Sequence, residues 1–259
     1  MSPAWPRISV ITPSFNQGQF IEATIQSVLS QEYADLEYLV VDGGSTDGTL
    51  DILRKYSGKL RWISEPDHGQ VEAINKGLRL ASGEILTYLN SDDLYLPGAL
   101  KRVGAFFGEA PQAAWVSGRC ITVDADLNET RRLITGYKNF WLRTHSYRAL
   151  LVLNYISQMA TFWRRSVYEA LGPLDEKLHY TMDYEYWLRI GKNYRLHTLP
   201  QTLAAFRLHA NSKSGTTARK QFLEQYQVAT RHNPPKAMLA LHRLHNWLSI
   251  GVYARRIHD

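Results

Sequence analysis

Two adjacent carboxylates, Asp92 and Asp93, follow an apolar run, Ile85-Leu86-Thr87-Tyr88-Leu89, after Asn90-Ser91. Like charges side by side at a strand end repel one another unless a cation sits between them and a ligand. The pair therefore reads as a site for a hard divalent metal, which implies a phosphate-bearing substrate. An acidic helix cap is the competing reading, with either aspartate accepting backbone N–H groups before a helix near Pro97 to Phe107. A second acidic strand end strengthens the first reading: Tyr38-Leu39-Val40-Val41 runs into Asp42-Gly43-Gly44-Ser45-Thr46-Asp47-Gly48-Thr49. Open α/β sheets bind ligands at the carboxyl ends of their strands, so both turns can border one crevice.

The elements that would carry these turns are legible from periodicity. Ile8 to Thr12, Leu36 to Val41, Leu60 to Ser64 and Ile85 to Leu89 read as short apolar strands. Between them, Gln19 to Gln31, Thr49 to Tyr56 and Val71 to Ala81 show helical spacing. Strands separated by helices of this length argue for a parallel sheet wound in the βαβ manner. After Ala113 the pattern loosens. Ala114 to Gly118, Cys120 to Asp124, Met159 to Trp163, Leu196 to Thr198 and Leu203 to Leu208 are strand candidates, and Ser166 to Leu171 and Asp183 to Ile190 are helix candidates stopped by glycine. Pro234-Pro235 is the clearest linker signal.

Composition sets the frame. The 259 residues are 44% hydrophobic and 21% charged, ordinary for a globular chain able to bury a substantial core. Cys120 is the only cysteine, so no intramolecular disulfide can form, which fits a reducing compartment. The N-terminus lacks the apolar core of a signal peptide, and no apolar run is long enough to span a bilayer. A cytoplasmic location is the expectation.

From Val10 to His209 the chain resembles the inverting nucleotide-sugar glycosyltransferases of family 2, which have the GT-A fold. The matching pieces, in the family's order, are Val10-Ile11-Thr12-Pro13-Ser14-Phe15-Asn16, Asp42 to Thr49, Glu65-Pro66-Asp67-His68-Gly69, Asn75-Lys76-Gly77, Ala81-Ser82-Gly83-Glu84, Asn90 to Asp93, Met182-Asp183 and Arg207-Leu208-His209. Each is weak alone; the ordered set is specific. Two departures stand out. The family's aspartate, any residue, aspartate triplet is Asn90-Ser91-Asp92 here, followed by Asp93, and the second of two aspartates after the second strand is Gly43. Metal and base recognition would therefore fall more heavily on Asp93 and Asp42.

The resemblance implies an α/β fold of GT-A type, with a mixed, mainly parallel central sheet flanked by helices and a C-terminal helical appendage. It divides the chain into a catalytic domain over 1–215, with a nucleotide-sugar half (1–110) and an acceptor half (111–215), and a basic helical tail over 216–259. A sugar would pass from a nucleotide diphosphate donor, a UDP-sugar by resemblance, to a hydroxyl of a glycan or lipid-linked acceptor; no residue distinguishes uracil from thymine or excludes guanine. Thr12, Pro13, Phe15, Asn16, Asp42, Asp67, Asn90 and Asp92 are the donor-site candidates. Phe15 stacks on the base or joins the core, and Asp42 meets base or ribose or holds its own turn. Asp93 is the expected ligand of Mn²⁺ or Mg²⁺, with Asp92 on ribose or metal and His209 completing the shell or touching phosphate. Asp183 is the expected general base, with Glu185 as fallback and helix capping as the alternative role of Asp183.

A nucleotidyltransferase of similar fold would want a Gly-rich loop after the first strand, where Thr12-Pro13-Ser14-Phe15-Asn16 stands. A non-catalytic sugar-nucleotide-binding module is the other alternative, because Asn90 weakens the metal motif. The net charge is +6, and residues 218 to 259 carry +5 of it. Thr130 to Tyr168 contains no acid, yet holds Arg131, Arg132, Lys138, Arg143, Arg148, Arg164 and Arg165 among aromatics. Such segments attract phospholipid headgroups or a lipid diphosphate; no nucleic-acid-binding signature accompanies them. Leu241, Leu244, Leu248 and Trp247 recur at helical spacing in the tail. That face packs on the catalytic domain, pairs with a second subunit as a homodimer, or rests peripherally on the inner face of the cytoplasmic membrane; the sequence leaves all three open.

Overall fold

The computed structural model describes residues 5–209 and 218–255, with side chains for 5–209 and 219–251. The expected domain boundary at 215/216, Arg256 and Asp259 lie outside the described residues. A nine-stranded mixed sheet forms the centre. Its first half is β1 (Ile8–Ser14), β2 (Leu36–Asp42), β3 (Arg61–Ser64) and β4 (Ile85–Tyr88), all paired in parallel with β1 between β2 and β4. The helices between them are α1 (Ile21–Leu29), α2 (Thr49–Lys55) and α3 (Gln70–Leu80). These are the expected βαβ units, with boundaries shifted by one or two residues.

The second half departs further from the periodicity. β5 (Leu94–Tyr95) is a two-residue strand before α4 (Ala99–Glu109). The two strand candidates after Ala113 are one strand, β6 (Trp115–Val123), whose register with its parallel partner β9 (His197–Arg207) shifts near Arg119. β9 likewise merges two candidates. The shift absorbs Gly118, where an added Cβ would overlap the Leu203 side chain. β7 (Glu129–Thr130) pairs with β6, and β8 (Thr161–Arg164) lies antiparallel between β4 and β6 after a 3₁₀ turn at Gln158–Ala160. The parallel ladders are the long ones: the antiparallel contacts span only two or three residue pairs each.

Alternation along the strands feeds two cores. Ile8 and Val10 of β1 face α1, α2 and α4, while Ile11 faces α3, so both sheet faces are buried and the strands read as continuous apolar runs. The basic, aromatic segment that periodicity left unassigned contains α5 (Arg132–Leu142) and α6 (Tyr147–Leu150), followed by α7 (Arg165–Leu171) and α8 (Met182–Asn193). Trp115, Trp163 and Trp187 meet at 5.6–5.8 Å ring separations and fix α8 to the sheet. Two of the segment's cations are structural: Arg164 donates to the carbonyls of Ala113 and Phe107, and Arg165 to that of Gly83.

The tail forms α9 (Ala218–Arg231) and α10 (Lys236–Arg255), joined across Pro234-Pro235 as the linker signal indicates. Both pack on the catalytic body. Glu224 accepts hydrogen bonds from the backbone of His179 and Tyr180 and from Thr181 Oγ1, and buried His242 bonds the Leu151 carbonyl. The packing face of α10 is thus the one bearing His242 and Asn246, while Leu241, Leu244, Trp247 and Leu248 point outward. Among the described residues, no helix is long and apolar enough to cross a membrane.

Candidate active site

The carboxyl ends of β1 and β2 are zipped together by side chain to backbone hydrogen bonds. Asn16, in the left-handed region at φ 51°, donates its N–H to Ser45 Oγ and accepts from the Thr46 N–H. Asp47 accepts from the N–H groups of Gly18 and Thr49. Asp42 is wholly buried and accepts from the N–H groups of Gly44 and Ser45 and from the hydroxyls of Ser45 and Ser64. Its carboxylate is therefore occupied in holding the turn, the alternative role of Asp42. Thr12 and Pro13 are likewise strand interior; Thr12 Oγ1 lies 3.1 Å from buried Tyr38 Oη, so its side chain is core rather than donor site. Phe15, by contrast, is 58% exposed at the end of β1, which removes the core reading and leaves its ring open to a planar partner.

Gly43 has a steric reason. A Cβ there would lie 2.8 Å from Asp67 Oδ2, so the Asp67 carboxylate occupies the space a side chain would need. Half-buried, Asp67 also accepts from the Gly69 N–H, and its carboxyl is raised above the usual range by burial and then by the charges of Glu72 and Asp42. Restoring a second aspartate as Gly43→Asp is expected to destabilise the protein by about 1–3 kcal/mol through overpacking and like-charge repulsion. Denaturant unfolding checks this, and adding Asp67→Ala should recover most of the loss; full additivity of the two changes would show that the residues do not compete for that space.

At the end of β4 the two aspartates divide. Asp93 is fully buried, its Oδ1 accepting the Arg207 N–H at 3.0 Å and its Oδ2 the Asn90 amide at 3.2 Å. Burial, then the charge of Asp92, pushes its carboxyl well above the ordinary range. Asp92 is the one that faces the crevice, with Oδ2 3.0 Å from His209 Nε2. Asp92, not Asp93, is the carboxylate beside His209, because after Asn90 the Asp93 side chain turns inward and ties β4 to β9. His209 packs on Phe20 at 4.3 Å between ring centroids, and the guanidinium of Arg207 lies 5.2 Å over the same ring. Asn90 holds Gln70 at the start of α3 through a 2.7 Å bond.

Asp183 enters from α8. The helix begins at Met182 after Thr181, so Asp183 is its second residue and not its cap. Its Oδ1 accepts the Tyr184 N–H at 2.7 Å. Burial raises its carboxyl above the usual range, against the opposing effects of that bond, the Lys138 charge and the Asn154 side chain. The Tyr88 hydroxyl is raised well above its ordinary value by burial and then by the charges of Asp183 and Asp93. Glu185 is no fallback base: it is buried and paired with Arg189 at 2.8 Å, and Arg189 in turn donates to the Leu171 and Pro173 carbonyls. Lys138 and Asn154 are neighbours of Asp183 that sequence reasoning missed; both come from the segment without clear periodicity, so only the fold brings them here. Asn154 Oδ1 is buried without a hydrogen-bond partner among the described residues.

The chain is similar to known proteins in both sequence and shape. The profile described as glycosyl transferase family 2 matches residues 9–171. A PGL/p-HBAD biosynthesis glycosyltransferase of Mycobacterium tuberculosis is 31% identical over 234 residues, 88% of this chain and 87% of that protein. A glycosyltransferase of Haemophilus influenzae is 28% identical over 225 residues, 83% and 70% of the respective chains. Among solved structures, the mannosyltransferase PcManGT from Pyrobaculum calidifontis, in complex with GDP-Man and Mn²⁺, superposes with a TM-score of 0.72 at 22% identity, over 98% of this chain and 74% of that one. S. aureus TarS in complex with UDP-GlcNAc gives 0.67 at 19% identity, over 86% of this chain and 65% of that one. At those identities the likeness is one of fold, and the fold is the GT-A type.

Proposed function

The chain belongs to glycosyl transferase family 2 and is a glycosyltransferase, and from that premise we propose that it moves a hexosyl group from a UDP-sugar to a hydroxyl of a lipid-linked glycan acceptor, inverting the anomeric carbon. The observation that carries this reading is the pairing of Asp92 with His209 just past the ends of β4 and β9, supported by the Asp183 carboxyl at the start of α8.

A divalent metal fits this donor set. Asp92 would supply a carboxylate oxygen and His209 an imidazole nitrogen, which are hydrogen-bonded to each other at 3.0 Å here. Among the described residues no third His, Cys, Asp or Glu joins them, which suits a cation that takes its remaining ligands from donor phosphates and water. Mn²⁺ or Mg²⁺ held by Asp92 and His209 would supply Lewis-acid neutralisation of the departing diphosphate. Phe15 offers a face for the nucleobase, and the zipped turns at Asn16 and Asp47 hold that face in place. Asp183 accepts the proton of the acceptor hydroxyl, with Asn154 Oδ1 available to orient it. A single direct displacement with one base and no carboxylate nucleophile inverts the anomeric centre.

The test is a panel of nucleotide sugars assayed for Mn²⁺-dependent hydrolysis and thermal stabilisation, since a ligand bound only by the native state raises its stability. UDP-sugars are expected to score. A response confined to guanosine or thymidine donors would replace the base assignment, and a retained anomer in the NMR spectrum of the product would remove the single-displacement mechanism. On this reading the protein works on the cytoplasmic side, peripherally on the membrane that carries the acceptor.

A further inference from the structure

Two helices that are far apart in sequence, and touch through Tyr137 and His245, each carry an exposed apolar stripe. On α5, Leu133, Tyr137 and Phe140 recur at helical spacing, and Phe140 is 61% exposed. On α10, Leu244, Trp247 and Leu248 do the same, with Trp247 71% exposed. The helices adjoin, because Tyr137 stacks on His245 at 6.2 Å with the rings 14° from parallel. The opposite sides of both helices are anchored: Thr135 and Leu142 of α5, and His242 and Asn246 of α10, are buried. The outward positions are therefore held outward by packing, and exposed apolar stripes on two touching helices mark a contact site.

The charge around this face selects the partner. Thr130 to Tyr168 and Gln225 to His258 contain no acidic residue. Arg143 and Arg148, near the end of α5, and Lys236 and Arg243, on α10, are all exposed. A second copy of the chain docked through a two-fold axis would bring the same two acid-free segments against themselves, with cation facing cation. An anionic bilayer offers both complements at once, headgroup charge for the arginines and an acyl boundary for the aromatic and leucine side chains. The position relative to the chemistry agrees: the charge of Lys138, half-buried on α5, acts on the Asp183 carboxyl.

We propose that α5 and α10 together form a docking face for an anionic lipid bilayer, inserting Phe140, Leu244, Trp247 and Leu248 at the headgroup boundary and presenting membrane-borne acceptors to the Asp183 side of the site. The inference rests on the reading of a lipid-linked acceptor given above and adds the surface that reads it. Co-flotation of the full chain with phosphatidylcholine vesicles, with and without phosphatidylglycerol, tests it at low and high salt. Binding is expected with the anionic vesicles and weakens as salt rises. Trp247→Asp and Phe140→Asp, on different helices, are each expected to lower the partition coefficient about tenfold or more. Both should retain stabilisation by the nucleotide sugar, which verifies their fold; Leu248→Asp and Leu133→Asp replace either one that does not fold. Absence of binding to anionic vesicles, or binding unchanged in both variants, overturns the proposal. So does a dimer that both variants dissociate without any vesicle binding, which would assign the face to a second copy. Intact donor stabilisation without vesicle binding removes the docking face alone, whereas vesicle binding without donor stabilisation removes the donor reading.

Discussion

Asp183→Asn is expected to lower turnover by roughly 10² to 10⁴ while leaving donor binding intact, the usual worth of a positioned general base. The substitution keeps the shape of the side chain and the oxygen that accepts the Tyr184 N–H, so α8 has no reason to move. What disappears is the capacity to take a proton. Because burial raises the Asp183 carboxyl, the acid limb of the wild-type rate profile is expected above the ordinary carboxylate range of about 4, with activity rising as pH rises through it. Stability carries the opposite sign. A carboxyl that binds its proton more tightly in the folded chain stabilises fully below its unfolded pKa, and that contribution is lost as pH rises through the folded value. The Asn variant escapes this loss and should melt no lower than wild type near pH 8. Single-turnover rates, calorimetric donor titration and melting curves together separate chemistry from damage. Near-normal turnover of the Asn variant, or an acid limb that survives in it, would take the base role away from Asp183.

How much of this could be read beforehand depends on whether the signal was local. The βαβ units from Ile8 to Leu89 were legible because burial on both faces makes their strands continuous apolar runs, and because helices α1 to α3 each carry one apolar stripe. α5 was not: its outward Leu133 and Phe140 and inward Lys138 invert the pattern expected of a helix packed on a core. The fusion of strand candidates into β6 and β9 was hidden for another reason, since Gly118 and Pro200 look like breaks while the register shift between the two strands accommodates them. Motif order located Asp42, Asp67, Asp92, Asp183 and His209 at the right strand and helix ends, yet order says nothing about which way a side chain points. Asp42 turned out to be consumed by Gly44, Ser45 and Ser64, all within its own or the adjacent turn. Gly43, a departure from the family pattern in sequence, became intelligible only when Asp67 was found in the space beside it.

The pair at the end of β4 gives the sharpest contrast between what the two adjacent carboxylates do. Asp92→Ala is expected to abolish metal-dependent donor binding, weakening it by about 100-fold or more, because groups that merely support a metal ligand are already worth 10- to 100-fold. The fold should hold: Asp92 is partly exposed, its hydrogen bond is to His209, and its removal relieves the like charge felt by Asp93. Asp93→Ala should do the reverse. It strands the buried Arg207 N–H and the Asn90 amide, which had the Asp93 carboxyl as acceptor, and an unpaired buried donor costs about 1–3 kcal/mol. The denaturation midpoint should fall, and the junction between β4 and β9 should loosen with it. Since His209 follows directly on the strand that Asp93 secures, some loss of donor affinity is expected in Asp93→Ala as well, but it should track the loss of stability and diminish on cooling or with stabilising osmolytes. The Asp92→Ala defect has no such remedy, because no fold rearrangement supplies the missing oxygen. Calorimetric titration of UDP with and without Mn²⁺, run beside urea unfolding for both variants, reads the two effects independently. Metal-dependent binding that survives in Asp92→Ala and vanishes in a stably folded Asp93→Ala would return the metal to Asp93 and show that the inward orientation of that side chain is not the one that binds donor.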